Sequence, residues 1–473
     1  MHPACYTFYV PMTFNPPPQP QYVDYRRHVD EIVAASIAAA DSDQAVSQYL
    51  KKEGRTLIIG RDHQVETIDL DQGRVFLVAS GKAALPMARA ALRVLGDDLE
   101  AGIVITKDDG QAIVDPVEGD EFYGRPIRII PASHPVPDER SVAGTKSVVE
   151  MLSAARREDA VICLISGGTS SLLTQPLMPL EDWRKLIELL LKSGCTINEL
   201  NAVRRSVDRI KSGGLARAAS PATCYGLILS DVVGNHMNVI GSGPTVPEED
   251  LVVGAVQVLG RYDIARQLER EEWGRLALAL NQARYLHKSP RPTVRNFIVG
   301  DVRGAATAAL VAAIRLGFVG QLLTVHLDGQ AREIGRLTAG IARDLPPGQC
   351  LVMGGETTVA VRGKGRGGRN QELALSAALA LERQPHVAVF SFATDGEDGP
   401  TPAAGAVVTG ETARLARSYG IDPIAHLMDN GSYTFFSRLD ELSRGRAEPH
   451  LIVTGATATN VNDLIVILSY GEP

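Results

Sequence analysis

The chain has 473 residues, of which 45% are hydrophobic and 22% are charged, and its formal net charge is −7. A chain of this length favours two or three domains over a single core. No apolar run approaches the roughly 20 residues of a membrane helix, and the net negative charge disfavours charge-driven binding of nucleic acid. We therefore expect a globular protein that neither spans a membrane nor binds nucleic acid.

The N-terminal segment and the cysteines indicate the compartment. Residues 1–23 have no basic region ahead of an apolar stretch and are interrupted by prolines, which predicts a poorly ordered arm and not a secretory signal. The cysteines form no CxxC pair and are odd in number, which is typical of reduced thiols in a cytoplasmic protein. They are Cys5, Cys163, Cys195, Cys224 and Cys350.

From about residue 24 the chain alternates short apolar runs with helical patterns. Strands are predicted in "RVFLVASG", "AGIVIT", "IRIIPASHPVPDE", "AVICLISGGTSSLL" and "CYGLILSDVVGN", with helices in "KAALPMARAALRVLG" and "RSVAGTKSVVEMLSAA". These strands are continuously apolar and do not alternate with polar residues. This pattern predicts a parallel sheet that is covered by helices on both faces.

The alternation weakens between residues 247 and 290, where the sequence is mostly helical and charged, and it resumes at "VRNFIVGD". Further strands are predicted in "QLLTVHL", "GQCLVMGGETTVAV", "HVAVFSFATDGEDG" and "HLIVTGATATNVNDLIVIL". We therefore predict an α/β protein with two α/β domains and mainly parallel sheets. The proposed divisions are an arm over 1–23, an N-terminal domain over 24–250 and a C-terminal domain over 251–473.

Small polar residues follow nearly every predicted strand. Ligands of open α/β sheets bind beyond the carboxyl ends of the strands, so these positions are candidate site residues. They include Gly81, Lys82, Ser166 to Ser171, Ser230, Asp231, Gly241 to Thr245, Thr394 to Gly396, Asp398, Gly455, Thr457, Thr459, Asn460, Asn462 and Asp463. Glycine, hydroxyl, amide and carboxylate groups with a few cations indicate recognition of phosphate and polyols together with a metal.

One loop, in "GGETTVAVRGKGRGGRNQELAL", combines glycines with cations. Gly363, Gly365 and Gly368 match the GxGxxG pattern of dinucleotide binding, and no GxxxxGK[ST] motif is present in the chain. A pyrophosphate held by backbone amides needs no side-chain cations, yet three crowd this loop: Lys364, Arg366 and Arg369. Because fixed cations stabilise a phosphoryl group during its transfer, the loop favours phosphoryl transfer over dinucleotide binding.

Each feature also has a purely structural interpretation. The "SGGTSS" turn either presents backbone amides to an anion or is a tight strand-to-helix turn. Lys82 is either an anion clamp or a solvated loop residue. Asp395 and Asp398 either hold Mg²⁺ together with substrate phosphates or belong to a solvated turn. His134 lies in a proline-rich loop and either shapes that loop or takes part in catalysis.

Eight stretches of the chain resemble, in order, those of the class II glycerate kinases, whose C-terminal part is the MOFRL domain. They are "SGKAALPMARAAL", "SHPVPDERSV", "ISGGTSSLL", "INELNAVRRSVDRIKSGGLARAA", "LSDVVGNHMNVIGSGPTVPE", "GGETTVAVRGKGRGGRNQELAL", "ATDGEDGPTPAAGAVV" and "TGATATNVNDL". The resemblance covers about residues 26–470 and implies phosphorylation of D-glycerate to 2-phosphoglycerate with ATP and Mg²⁺. It also implies an N-terminal Rossmann-like domain, a MOFRL region over about 349–470 and an active-site cleft between two domains.

Carried over residue by residue, the resemblance implies a functional lysine at Lys82 and a functional arginine at Arg369. Asp231 and Asp395 are expected in catalysis and are the candidate ligands of the metal. The other expected contacts to substrate or nucleotide are Ser166, Gly167, Gly168, Ser170, Lys211, Gly363, Gly365, Gly368, Asn460 and Asn462. Because the two cations lie in different predicted domains, they can clamp the transferred phosphoryl group as a point charge and a planar fork.

The chain departs from the family pattern at four positions. Asn235 stands where the family has an aspartate after "SDVVG", and Ser212 stands for a glycine in "IKSGGLA". Ala456 and Ala458 stand for a proline and a glycine in "GATATNVND". Because serine and alanine stiffen loops in which glycine is permissive, these changes bear on substrate and turnover more than on fold.

Two alternatives remain open. An NAD(P)H-dependent hydroxypyruvate reductase is supported by the GxGxxG match, and a catalytically silent sensor of a sugar acid or nucleotide is supported by the departures. The sequence also leaves open whether the protein is a monomer or a homodimer, which sugar acid it prefers and which aspartate meets the metal. The position of the phosphorylated hydroxyl rests on the resemblance.

Overall fold

The computed structural model describes residues 19–108, 120–248, 251–286 and 291–471. Residues 1–18, which form most of the predicted N-terminal arm, lie outside the described residues. Within the described ranges, no helix combines the length and the apolar character that crossing a membrane requires.

The strands are β1 (Leu50–Glu53), β2 (Thr56–Arg61), β3 (Gln64–Asp69), β4 (Val75–Ser80), β5 (Leu99–Lys107), β6 (Ile127–Ala132), β7 (Ala160–Ile165), β8 (Thr223–Leu229), β9 (Val294–Gly300), β10 (Val319–Gln330), β11 (Gln349–Thr358), β12 (Val387–Ala393), β13 (Gly405–Thr409), β14 (Leu451–Ile452) and β15 (Asp463–Ser469). The helices are α1 (Tyr25–Ala39), α2 (Ser42–Tyr49), α3 (Ala84–Leu95), α4 (Glu139–Leu152), α5 (Thr169–Leu172), α6 (Leu180–Lys192), α7 (Ile197–Ser206), α8 (Gly214–Ala219), α9 (Leu251–Arg261), α10 (Arg270–Leu286), α11 (Val302–Arg315), α12 (Ala331–Asp344), α13 (Arg369–Ala380), α14 (Thr412–Ser418), α15 (Pro423–Met428) and α16 (Ser432–Leu442).

The first large sheet is fully parallel, as the apolar runs predicted. Its strand order is β6-β5-β4-β7-β8-β9, and every neighbouring pair is parallel. All six residues of β4 and all six of β7 are buried, which fits a sheet covered on both faces. Counted along the chain, the order is 3-2-1-4-5-6, the doubly wound order of the Rossmann fold. The order reverses between β4 and β7, which places the expected ligand crevice at the carboxyl ends of these two strands.

The second large sheet corrects the expectation of mainly parallel sheets. Its order is β10-β11-β15-β12-β13-β14, and only the pair β10–β11 is parallel. The last strand, β15, lies between β11 and β12 and runs opposite to both. Because β12 and β13 are joined by a short reversing loop and not by a crossover helix, they also pair in antiparallel fashion.

The change from one sheet to the other falls later in the chain than residue 250. Strand β9 pairs in parallel with β8, so the first sheet continues to Gly300 and the second begins at Val319. Helices α9 and α10 share a buried apolar cluster with α6 and α7. The helical segment that suggested a boundary is therefore an excursion, after which the chain returns to the first sheet.

The two halves share one hydrophobic core. Leu77 of β4 belongs to the same buried cluster as Ala305 of α11, Phe390 of β12 and Val466 of β15. Helix α1 packs against α11 and contributes Val29 to this cluster. A small antiparallel sheet, β1-β2-β3, was not predicted, because its short strands carry too few apolar residues to stand out.

Candidate active site

Two turns interlock at the point where the strand order reverses. The amide of Lys82, after β4, donates to the carbonyl of Gly167, after β7, over 2.8 Å. The amide of Ala83 donates to Ser166 Oγ over 3.1 Å. A Cβ on Gly81 would lie 2.1 Å from Ser166 Oγ, and Gly81 has a φ of +125°. Glycine is therefore required at position 81 for the close approach of these two turns.

Lys82 and His134 meet at Gly168. A Cβ built on Gly168 would lie 3.1 Å from His134 Cδ2 and 3.3 Å from Lys82 Cγ. The side chain of Lys82 is exposed, and within the part of the chain that the structure describes its ammonium has no hydrogen-bond or ion-pair partner. The lysine is therefore free to meet an anion in the crevice.

Asp231 follows β8 and rests on the same turn. A Cβ on Gly167 would lie 2.2 Å from Asp231 Oδ2, so this carboxylate lies directly against the glycine backbone. Burial raises the pKa of Asp231, and the nearby charge of Lys82 opposes that rise. The structure thus brings together Lys82, Asp231 and the Ser166–Ser170 turn, as the sequence predicted.

Asp395 brings the second half of the chain to the same place. It follows β12, and burial raises its pKa while the charges of Lys82 and Arg369 lower it. The Asp395 carboxyl group therefore lies within electrostatic range of both cations. That Lys82 and Arg369 meet at one site stays a prediction.

Arg369, the first residue of α13, is held by two acids. Its Nε lies 2.5 Å from Asp463 Oδ2, its Nη2 donates to Asp463 Oδ1 over 3.0 Å, and its Nη1 donates to Glu356 over 3.0 Å. Burial alone would lower the pKa of the guanidinium, but the charge and hydrogen bonds of Asp463 raise it above its ordinary value. The side chain of Asp463 is only 1% exposed, whereas that of Arg369 is 30% exposed. The guanidinium of Arg369 is thus held by Asp463 on one side and is accessible to solvent on the other.

Asp398 has a structural role at the start of the same helix. Its carboxylate accepts hydrogen bonds from the amides of Asn370 and Gln371, which are otherwise unpaired at a helix N-terminus. Burial raises its pKa to about 7. Because both oxygens are engaged by α13, Asp398 is better suited to fixing this helix than to holding a metal.

The glycines of the cationic loop, residues 363–368, pack against protein. A Cβ on Gly365 would lie 2.5 Å from both the carbonyl oxygen of Asp429 and the Cα of Gly431. The amide of Gly365 donates to the carbonyl of Asp429, and the amide of Gly363 donates to Asn430 Oδ1. These two amides are already bonded within the protein, so neither is free for a phosphate; that the loop contacts substrate or nucleotide, including at Gly368, stays a prediction.

The side chains of the cationic loop differ from its backbone. Arg366 donates to the carbonyl of Pro400 over 2.8 Å and stacks over the ring of Tyr433 at 4.8 Å. Lys364 is exposed. The loop therefore presents one exposed ammonium, that of Lys364, beside a guanidinium that protein contacts hold in place.

Lys211 lies below the crevice and not in it. It is fully buried, and its Nζ donates to the carbonyls of Ser170 and Leu173 over 2.7 and 3.3 Å and pairs with Asp208 at 3.4 Å. Burial lowers its pKa, and Asp208 opposes that shift. The prediction that Lys211 contacts a ligand does not match this placement, since Lys211 instead fixes the Ser166–Ser170 turn from beneath.

Asn460 and Asn462 lie next to the Asp395 turn. The hydroxyl of Thr394 donates to the carbonyl of Asn462, and Asn460 Oδ1 accepts the amide of Asn462. Asn462 Nδ2 is buried and has no hydrogen-bond partner among the described residues. An amide donor left unpaired at this position supports the prediction that Asn462 meets a ligand.

Three of the four residues that depart from the family pattern have a left-handed backbone conformation. Ser212, Asn235 and Ala458 have φ values of +48°, +54° and +53°. Two of these are positions where the resembling family has glycine, which explains the family preference. Asn235 donates its amide to Asp301 over 2.5 Å, whereas an aspartate there would face a second carboxylate. Asparagine therefore fits this chain, and no feature of the structure explains Ala456.

Sequence reasoning missed Lys107 and left His134 undecided. Lys107 ends β5, and His134 follows β6 by two residues, so both lie at the same edge of the sheet as Lys82. The strand-end rule could have found both of them. Within the described ranges, no group of three or more His, Cys, Asp or Glu residues is placed to hold a metal ion.

The chain matches two family models. The model of DUF4147, a domain of unknown function, matches residues 28–276, and the model of the MOFRL family matches residues 349–463. Together with the α/β fold, these two matches place the chain in the class of proteins that join a DUF4147 domain to a MOFRL region.

Similar proteins identify the family within that class. A D-glycerate 2-kinase of Thermotoga maritima is 39% identical, covering 92% of this chain and 96% of its own. A glycerate 2-kinase of Pyrococcus horikoshii is 34% identical, covering 94% of this chain and 98% of its own. A crystal structure of the glycerate kinase from Thermotoga maritima has a TM-score of 0.80 at 36% identity, covering 94% of this chain and 100% of its own. The chain belongs to the class II glycerate kinases.

Proposed function

We propose that the chain transfers the terminal phosphoryl group of ATP to the 2-hydroxyl of D-glycerate. The observation that carries the proposal is the Asp395 carboxyl group within range of both Lys82 and Arg369, at the switch point of a doubly wound sheet. The named activities of the similar kinases support the same reaction.

Lys82 and Arg369 take different parts in this reaction. The unpaired ammonium of Lys82 moves with the transferring phosphoryl group as a point charge. The guanidinium of Arg369, held by Asp463, offers fixed N–H donors to the phosphate oxygens. Fixed positive charge stabilises the transition state because negative charge spreads over the phosphoryl oxygens.

The turn after β7 is suited to an anion. In the described part of the chain, the amides of Gly167 and Gly168 have no backbone acceptor. Lys82 lies beside them, and the buried Lys211 holds the turn from below. We therefore assign Ser166–Ser170 to phosphate binding. The free amides of the turn would donate to the phosphate oxygens, and the Lys82 ammonium would add a positive charge.

Asp231 and Asp395 fit the expected metal by their chemistry. Mg²⁺ is typically bound by one or two carboxylates together with waters and substrate phosphates. Both carboxyl groups lie within electrostatic range of Lys82, and Asp395 also feels the charge of Glu397. When bound, Mg²⁺ neutralises charge on the phosphate oxygens. Whichever carboxylate is free of the metal orients the glycerate hydroxyl and accepts its proton.

A coupled assay of ADP release with D-glycerate, ATP and Mg²⁺ tests this function. Turnover that requires D-glycerate is expected, and Lys82→Ala and Arg369→Ala should each abolish most of it. Release of ADP at the same rate without glycerate, or unchanged rates in both variants, would overturn the proposal and its site.

A reductase is the second candidate. A relative from Agrobacterium vitis, 37% identical over 94% of this chain and 95% of its own, carries a provisional name as a hydroxypyruvate reductase. The GxGxxG glycines that could support dinucleotide binding have a structural reason of their own, because Gly363 and Gly365 pack against Asp429 and Gly368 packs against Asp398. Oxidation of NADH or NADPH in the presence of hydroxypyruvate, followed by absorbance, would establish a reductase activity. We expect no such oxidation.

We also infer a cytoplasmic location. The described cysteines are free thiols, and Cys163, Cys224 and Cys350 are buried. Reduced, buried thiols without disulfides are typical of the cytosol. Fractionation of cells that express the full chain would test this inference.

A further inference from the structure

The first sheet carries a second cationic group beside Lys82. The parallel register pairs Ser80 with Ile105 and Lys107 with Ala132, so Lys82 and Lys107 lie at equivalent points on neighbouring strand ends. His134 lies two residues beyond Ala132, which is the last residue of the third strand, β6. Three basic side chains are therefore arranged across the edge formed by β4, β5 and β6.

The contacts of these residues leave them open to a ligand. The imidazole of His134 lies against Gly168 and beside the stem of Lys82, and it is half-buried. In the described ranges neither Lys107 nor His134 has a hydrogen-bond or ion-pair partner.

The nearby acids are engaged by another residue. Asp108 and Asp138 both pair with Arg140, and Asp138 also caps α4 through the amide of Ser141. Among the described residues, Lys107 is thus left without a carboxylate of its own on this side of the crevice. Its charge reaches His134, whose pKa is lowered to about 4 by burial and by Lys82 and Lys107. At neutral pH His134 is therefore an uncharged imidazole that can donate one N–H.

We propose that Lys107 and His134 form the subsite for the carboxylate of the acceptor acid, an inference that rests on the proposed function. In a 2-hydroxy acid the carboxylate is bonded to the carbon that carries the reacting hydroxyl. The carboxylate must therefore bind next to Lys82, and His134 lies on that side of the crevice because its ring and the Lys82 stem both lie against Gly168. One ammonium and one neutral N–H donor match a single negative charge, whereas the phosphates are left to Lys82 and Arg369.

This subsite would determine specificity. It selects sugar acids over neutral polyols, because a neutral acceptor would leave the Lys107 ammonium without a counter-charge. It also predicts that the two residues affect binding of the acid and not of ATP.

The test compares D-glycerate with D-glyceramide, in which a neutral amide replaces the carboxylate. Lys107→Met and His134→Phe, which removes the N–H donor and keeps a ring, should each raise KM for D-glycerate about 10- to 100-fold, the worth of one charge-assisted hydrogen bond. The KM for ATP and the rate with D-glyceramide should stay within about twofold of the wild-type values. Lys107→Arg should restore most of the affinity, and it serves as the readout if Lys107→Met does not fold. His63→Phe and Lys146→Met, exposed residues elsewhere, are the matched controls.

Calorimetric binding of D-glycerate to the full chain separates this inference from the proposed function. Wild-type binding that is weakened in Lys107→Met and His134→Phe supports the subsite even if no phosphoryl transfer occurs. Equal binding by the wild type and both variants, no binding by the wild type, or equal losses for D-glycerate and ATP would overturn it.

Discussion

The two glycine-rich turns of this chain look alike in sequence and differ in their physical role. The turn Ser166–Ser170 lies at the switch point of the parallel sheet, with the amides of Gly167 and Gly168 free of backbone acceptors in the described residues. The loop Gly363–Gly368 lies in the other half, and its first three amides, those of residues 363–365, are bonded to Asp429 and Asn430. Glycine allows close packing in both turns, and we propose that only the first turn also offers its amides to a ligand.

The two cations differ in the same way. Lys82 is exposed and unpaired within the described residues, whereas Arg369 is bound to a buried aspartate and to Glu356. An unpaired charge can follow a moving group, and a paired charge stabilises the protein while it holds a fixed position. Removing each cation should therefore have different consequences for rate and for stability.

The largest expected effect is the loss of rate in Lys82→Met. Removal of one charge that stabilises the transition state costs about 10²- to 10³-fold in kcat, and up to about 10⁵-fold for a phosphoryl clamp. The free energy of unfolding should change by less than about 0.5 kcal/mol, since Lys82 has no protein partner to lose. Steady-state kinetics and urea unfolding measure both quantities, with Lys146→Met as the control. A variant that keeps a tenth of the wild-type kcat would contradict the role of Lys82.

Arg369→Met should lower stability as well as rate. It leaves Asp463 buried without its partner, and breaking a buried ion pair costs about 3–5 kcal/mol. The double variant Arg369→Met/Asp463→Leu should regain much of that stability but none of the activity. Urea unfolding of the two variants measures the difference. Equal stabilities of Arg369→Met and Lys82→Met would remove the contrast between the two cations.

Gly365→Ala should destabilise the chain by about 1–3 kcal/mol, because its Cβ would overlap backbone atoms of Asp429 and Gly431. Gly254→Ala, on open space within α9, is the matched control and should gain about 0.5–1 kcal/mol. Thermal unfolding of both variants measures these changes. If Gly365→Ala is as stable as wild type but binds ATP poorly, the loop is a ligand cradle and not a packed one.

Ala458→Gly should raise stability by up to about 1 kcal/mol, because Ala458 is held at a φ of +53°. Ala143→Gly, at an exposed position inside α4, should lower it by about 1 kcal/mol. The opposite signs follow from the opposite backbone conformations. Losses of equal size in both variants would show that position 458 is not strained.

The smallest expected effect is a pH dependence that His134 contributes. Its folded-state pKa is lowered to about 4, whereas the unfolded chain titrates near about 6.5. The unfolded state therefore binds more protons, and stability falls as pH drops from about 6.5 towards about 4. His134→Asn lacks this contribution, so its Tm should fall less than that of wild type over this range. Parallel Tm curves from pH 7 to 4.5 would contradict the lowered pKa.

The first sheet and the core of the site were predictable for one reason. Continuous apolar runs such as β4 and β7 mark strands buried on both faces, and the strand-end rule then selects Lys82, Asp231 and Asp395. The antiparallel second sheet was not predictable, because β12 and β15 are equally buried and equally apolar. Full burial on both faces gives the same sequence pattern in either strand direction.

Residue roles that depend on how deeply a side chain is buried could also not be predicted from the sequence. Lys211 occurs in a motif that resembles a ligand-binding one, but its ammonium is buried beneath the turn. The glycines of residues 363–368 matched a fingerprint, but Gly363 and Gly365 meet residues 429–431 and Gly368 meets Asp398, all distant in the sequence. Only the folded chain shows which atoms those glycines must admit.

The central claim is that Lys82 and Arg369 act on one phosphoryl group from the two halves of the chain. A double-mutant cycle of kcat for D-glycerate, with Lys82→Met, Arg369→Lys and the combined variant, tests it most directly. Residues that act as a unit are strongly non-additive, so the combined variant should lose little more than Lys82→Met alone. A combined loss equal to the product of the two single losses would contradict the claim.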